Sequence, residues 1–374
     1  MENSKVIIVT NIPNQYRVPL FNELNNQLIL QGKELLVVFA AKSYQARKSI
    51  IDMSECNFNY HILGPSIFSS IEQKRGLFFY SGLIRLLLKE KPKTLIVGGF
   101  SISSLKVAFL QFFTAFNFII WSGTFEAEST KARPVRLIIR KWLIGRANHL
   151  IAYSTKAKQY FISLGAEEKK VVNVGNTVDV EFFSSINRTI DELHRKNGIY
   201  HLTYVGYLTS RKNVGLLLNV VKELKAYRTD FVLDIIGDGE FRLELEQLAK
   251  ELEISSFINF HGFMQKKNLP SVLTNSAIFL FQTDFDIWGL VLNEAMAVGI
   301  PCLASINAGA TEDLIQEGTT GFKVDFNDSI SVAKKIDYLV RYPLKMEDVG
   351  KNASDFIQLN YSLSSCSSRM ISVI

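Results

Sequence analysis

The chain has 374 residues, 47% of them hydrophobic and 21% charged, which is too long for one ordinary core and too apolar for a disordered protein. Three widely spaced cysteines, Cys56, Cys302 and Cys366, exclude a disulfide framework and a four-ligand zinc site, and a reduced cytoplasmic compartment is expected. The formal net charge of +6 is uneven: residues 1–180 carry 23 basic and 12 acidic side chains, the remainder 19 and 24.

A basic half joined to a mildly acidic one implies that one domain meets an anionic ligand or surface. No zinc-finger, RNP-like or heptad signature accompanies the charge, so no nucleic acid partner is expected and a membrane face is the candidate.

In chain order, the opening MENSKVIIVT lacks the basic and long apolar regions of a secretory signal. Short β-branched runs then alternate with helical patterns, the signal for βαβ units and parallel sheets. The predicted strands of the first half are 5–9, 34–39, 59–63, 94–99, 116–121 and 149–154. Residues Val107 to Ile120 are the most lipid-like, but polar residues interrupt them and they fall short of the roughly 20 residues a spanning helix needs. They read as the end of a buried helix running into a strand.

Residues 131–146, KARPVRLIIRKWLIGR, hold six Lys or Arg and no acid. Arg133, Arg136 and Arg140 share one helical face, with Lys141, Trp142 and aliphatic residues beside them. Cations for anionic headgroups next to an apolar side form a membrane-docking pattern, so a peripheral position at the inner face of the cell membrane is expected. A helix packed on the sheet with a basic outer face is the competing reading. The stretch 184–197 is polar and least strand-like, and is the predicted linker. Strands follow at 200–206, 231–237, 257–262, 277–282 and 300–305. The fold class is α/β: two doubly wound, Rossmann-like parallel-sheet domains facing across a cleft. Glycines 206, 237 and 239 follow predicted strands, where they allow tight turns and close backbone approach.

Residues 279–321, FLFQTDFDIWGLVLNEAMAVGIPCLASINAGATEDLIQEGTTG, carry the chemistry. Gly289 and Leu290 open a predicted helix, 290–298, stopped by Gly299 and Pro301. Asp286 precedes this helix, whose first free N–H groups make a natural diphosphate site. Glu294 lies more than a turn inside, among residues too apolar for a solvated face, so a buried carboxylate with hydroxyl or cationic partners is expected. Thr311 is a candidate cap for a helix beginning with Glu312.

The Asp286-x₇-Glu294 spacing, EAMAVGIPCLAS, Gly309, Glu312 and EGTTGF resemble the retaining, nucleotide-sugar-dependent family 4 glycosyltransferases of GT-B fold. YVGYLTSRKNVGLLL (204–218), LDIIGDGEFRLELEQL (233–248), NVGNTVDVEFF (173–183) and IPNQYRVPLFNEL (12–24) are further matching blocks, the last in a bacterial surface-polysaccharide branch. The resemblance implies an acceptor domain, 1–185, and a nucleotide-sugar domain, 198–352, with the tail 353–374 packing back on the first. It implies that Arg211 and Lys212 neutralise the donor diphosphate, that Asp286 holds sugar hydroxyls, and that Gly289 and Leu290 offer amides. Glu294 would accept the ribose diol, Gly206, Gly237 and Gly239 would border the donor, and neither metal nor cofactor is expected. Two residues depart from the pattern: Asp286 replaces the usual Glu, and Tyr207 stands where a basic residue is frequent.

The acceptor half lacks the family's histidine; Trp121, Ser122, Gly123 and Glu126 take its place, with Glu126 the candidate facing the reacting centre and Glu128 the fallback. The expected activity is transfer of a hexosyl group from a nucleotide-diphosphate sugar to a saccharide acceptor, lipid-linked, in lipopolysaccharide or capsule assembly. A nucleotide-sugar 2-epimerase of similar fold and a non-catalytic nucleotide-sugar binding module are the alternatives.

Overall fold

The structure, a computed structural model, describes residues 4–40, 53–64, 82–125, 134–184 and 198–374. Two compact units divide the chain: residues 1–178 with 363–374, and residues 179–362. The sequence put the first boundary at 185/198 and the return at 353. The predicted linker lies, apart from Ser184, outside the described residues.

In the first unit the strands are β1 (Ser4–Thr10), β2 (Lys33–Phe39), β3 (Asn59–Ile62), β4 (Thr94–Gly98), β5 (Asn117–Ser122), β6 (His149–Ala152) and β7 (Val171–Asn173). Helices α1 (Val18–Leu30), α2 (Leu83–Glu90), α3 (Ile102–Leu110), α4 (Pro134–Arg146) and α5 (Thr155–Ser163) connect them. The sheet is parallel, in the order β3-β2-β1-β4-β5-β6-β7. Its central strands read VIIV, LIV and FIIW because helices cover both faces, and all these side chains are buried. The strand β7 was not predicted; three residues are too few to show a period.

The second unit begins with α6 (Val180–Ser184). Its strands are β8 (Tyr200–Val205), β9 (Phe231–Ile236), β10 (Ile258–Gly262), β11 (Ile278–Phe281), β12 (Cys302–Ser305) and β13 (Phe322–Val324). Its further helices are α7 (Gly215–Lys225), α8 (Arg242–Glu251), α9 (Leu269–Leu273), α10 (Leu290–Ala297), α11 (Gly309–Leu314), α12 (Ser329–Arg341) and α13 (Pro343–Tyr361). The parallel order is β10-β9-β8-β11-β12-β13, reversing direction between β8 and β11. Ligands of open α/β sheets bind beyond the carboxyl ends of strands at such a reversal.

The chain returns to the first unit as α14 (Leu363–Ile371). The return starts ten residues later than the sequence suggested because Ala353 and Ile357 are buried positions of α13, which packs on α10. Ser364 and Ser368 of α14 hydrogen-bond Gln27 of α1. Asn117 and Thr94 donate to the carbonyls of Val373 and Ile374, tying the last residues to the sheet. No helix among the described residues is long and apolar enough to cross a membrane.

Candidate functional site

In the second unit the segments after β8 and β11 lie side by side at the reversal point. The first leaves β8 at Gly206 and makes a turn over Ser210–Lys212 that ends at Asn213, φ 42°. The second runs from Gln282 to Gly289. They are stitched together: the Asp284 amide donates to the Arg211 carbonyl at 3.1 Å, and the Asn213 side chain donates to Asp284 Oδ2 at 2.9 Å.

That stitching brings the predicted charges together. Lys212 Nζ sits 2.6 Å from Asp286 Oδ2 and Arg211 Nη1 is 3.7 Å from Oδ1. Arg211 is half-exposed and also donates to the Phe285 carbonyl at 2.5 Å. Lys212 is buried; burial lowers its pKa, and the Asp286 carboxylate opposes that shift. Against Gly206 lies the Tyr204 hydroxyl, buried and, among the described residues, without a hydrogen-bond partner. Burial, reinforced by the Asp286 charge, raises its pKa and keeps it a neutral donor.

Two glycines make this geometry possible. Gly237 has φ 141°, and a Cβ there would stand 1.8 Å from the Gly206 carbonyl oxygen, so the two turns touch backbone to backbone. Gly289 has φ 102°, and its Cβ would lie 2.1 Å from Cζ of Phe281. Gly239 packs likewise against the Leu208 carbonyl.

Helix α10 starts at Leu290, and no hydrogen bond among the described residues uses the amides of Gly289, Leu290 or Val291. The N-terminus is an open set of donors backed by the helix dipole. The side chain of Trp288 donates to Asn293 at 2.7 Å and so braces the first turn.

Glu294 is buried as expected, and Lys266 is the cation that acts on it. No hydrogen bond reaches its carboxylate among the described residues, and burial pushes its pKa up to about 7, opposed by Lys266. A mostly buried carboxylate that no internal group donates to can accept from an external donor. Neither Lys266 nor the Asn213–Asp284 bond was legible, since both depend on contacts between distant segments. The candidate cap Thr311 is inside α11 instead; Ala308 is the N-cap, and Thr311 donates to the Ser305 carbonyl at 2.7 Å. Glu312 is half-exposed and pairs with Lys323 at 3.6 Å.

In the first unit, Glu126, Glu128 and Arg133 lie outside the described residues. Arg136, Lys141 and Trp142 are exposed on α4. Arg140 is not available to a membrane: it is buried, donates to the Tyr160 hydroxyl at 2.8 Å and lies over the Phe100 ring. These internal aromatic partners outcompete the surface at that position.

Residues 169–356, just over half of the chain, match the family described as "Glycosyl transferases group 1". The chain belongs to that family. Group 1 relatives include the Staphylococcus aureus capsular polysaccharide biosynthesis glycosyltransferase CapM, 26% identical over 223 residues, 58% of each chain. The Streptomyces kanamyceticus alpha-D-kanosaminyltransferase is 26% identical over 170 residues, 46% of this chain and 44% of its own length. The chain thus spans about half the length of the curated relatives it matches. Among solved structures, Anabaena HepE in complex with UDP superposes with a TM-score of 0.77 over 99% of this chain and 98% of that one, at 17% identity. Together with the two parallel-sheet units, that likeness shows the GT-B fold of this group 1 chain.

Proposed function

We propose that the chain is a retaining glycosyltransferase that moves a hexosyl group from a nucleotide-diphosphate sugar to a saccharide acceptor in surface-polysaccharide assembly. The observation that carries this reading is the Lys212–Asp286 pair set before the open amides of α10. Arg211, Lys212 and those amides meet the donor diphosphate, while Asp286 accepts from sugar hydroxyls and Glu294 from the ribose diol. The acceptor hydroxyl attacks the anomeric carbon on the face the diphosphate leaves. The bond from that carbon to the phosphate oxygen breaks, and the departing oxygen takes the acceptor's proton. The residues supply position and charge stabilisation, not a strong base. The UDP in the HepE complex and the capsular name of CapM support a nucleotide donor and a polysaccharide product.

The test incubates a panel of nucleotide sugars with the protein and a bacterial lipid extract. Release of nucleoside diphosphate that depends on the extract is expected. Interconversion of the nucleotide sugar, or tight binding without release, contradicts transfer.

A lipid-linked acceptor at the inner membrane face completes the reading, and the first unit supports it with a wider patch than the sequence offered. The end of α3 and the turn after it, read as buried, instead expose Phe109, Phe112 and Phe113, the last by 72%. These rings cluster at centroid separations of 5.9 and 5.6 Å, and Arg146 of α4 lies 4.5 Å from the Phe112 centroid. Val135, Ile138 and Trp142 are exposed on neighbouring α4, together with Arg136 and Lys141. Burying one phenylalanine ring contributes about 1.5–3 kcal/mol. Replacing Phe112 and Phe113 by Ser is expected to weaken partition into anionic vesicles at least about tenfold. Equal co-sedimentation of variant and parent with such vesicles removes this face from the contact.

A further inference from the structure

We propose that Arg17 and Trp121 form an anion-binding subsite in the first unit, which takes a carboxylate or phosphate group carried by the acceptor. The word acceptor rests on the glycosyltransferase reading; the anion site itself does not.

Arg17 closes the segment after β1 and stands at the N-terminus of α1. Trp121 is the penultimate residue of β5, and Tyr153 directly follows β6, so all three gather beyond the carboxyl ends of the strands. The order β2-β1-β4 reverses direction at β1, which makes this end the expected ligand side of the sheet. The Arg17 guanidinium carbon lies 4.0 Å from the Trp121 ring centroid, 5.1 Å from that of Tyr153 and 5.4 Å from that of Tyr16. Nη2 donates to the Tyr153 hydroxyl.

The stack leaves two donors unused. Among the described residues, Arg17 Nη1 and Trp121 Nε1 are both buried without a hydrogen-bond partner. Among the described residues no carboxylate pairs with Arg17, which is only 7% exposed. Aromatic faces attract a cation but satisfy none of its N–H groups. A guanidinium stacked on an indole, each with a free N–H, offers two neighbouring donors to an anion. The positive end of α1, whose first turn holds no acid, favours the same charge.

The test uses the full chain carrying Lys212→Ala, which weakens phosphate binding in the second unit, and titrates it with inorganic phosphate and with glucuronate at constant ionic strength. Calorimetry on this parent is expected to show saturable binding of at least one probe, and which probe binds assigns the group as phosphate or carboxylate. Arg17→Gln is expected to weaken that binding at least about tenfold. Trp121→Phe, which keeps a ring and deletes the N–H, is expected to weaken it by a smaller factor and covers the case in which Arg17→Gln does not fold. If neither probe binds the parent, or if both folded variants bind as the parent does, Arg17 is a structural pin and the subsite does not exist. A failure of the glycosyltransferase reading shows separately, as absence of nucleoside diphosphate release from the unmodified chain.

Discussion

Lys212→Ala is expected to lower donor turnover about 100-fold, about 2.7 kcal/mol of transition-state stabilisation, with the chain still folded. Lys212, unlike Arg211, is drawn out of water, and its charge is fixed at 2.6 Å from Asp286. In low dielectric a fixed charge acts strongly on the charge that develops as the diphosphate leaves. Arg211 cannot substitute, because it is half-exposed and holds Asp286 only at 3.7 Å. The same substitution strips Asp286 of its close partner, so part of the loss belongs to a displaced carboxylate. A double-mutant cycle with Asp286→Asn separates the two, with a coupling of about 1–3 kcal/mol expected for groups in contact. A folded Lys212→Ala chain turning over at the native rate would remove the pair from the chemistry.

The layout of this site was partly legible because its determinants are local. Asp286, Gly289, Leu290 and Glu294 fall within one strand–turn–helix, and the stop signals at Gly299 and Pro301 bracket α10. Eleven strands of the two sheets were legible as β-branched runs, because a sheet covered on both faces selects such runs. β7 and β13, three residues each, carry too little pattern. What escaped depends on segments far apart in the chain: the Asn213–Asp284 bond, the Lys266 charge facing Glu294, and the stack of Arg17 on Trp121. The α4 face failed for a related reason. Helical periodicity puts Arg136 and Arg140 on one side, but only the position of Tyr160 and Phe100 tells which of them is internal.

On the proposed reading, Glu294 is expected to make donor binding pH-dependent near neutrality. Its carboxyl titrates at about 7 in the folded chain against an ordinary 4.5, because burial disfavours the charged form. Between those values the folded chain keeps a proton that the unfolded chain has shed. Without donor, the stabilising effect of that proton is fully present below 4.5 and is lost as pH rises through about 7, an effect of about 3 kcal/mol. Donor binding runs the opposite way. A ribose diol brings two O–H donors, and the carboxylate accepts one on each oxygen, whereas the protonated carboxyl carries a competing donor on one of them. Affinity for a nucleotide sugar is therefore expected to rise about tenfold per pH unit below that pKa, with one proton released, and to level off above it. The phosphodiester-type diphosphate of a nucleotide sugar does not titrate in this range, so the slope belongs to the protein. Glu294→Gln keeps the shape and removes the titration: its binding is expected to be weaker at about pH 8 and flat down to about pH 6. Calorimetry in two buffers of different ionisation enthalpy counts the released proton directly. A native chain that binds the nucleotide sugar equally at both pH values would show that Glu294 faces no diol, and would leave its buried carboxyl without a function.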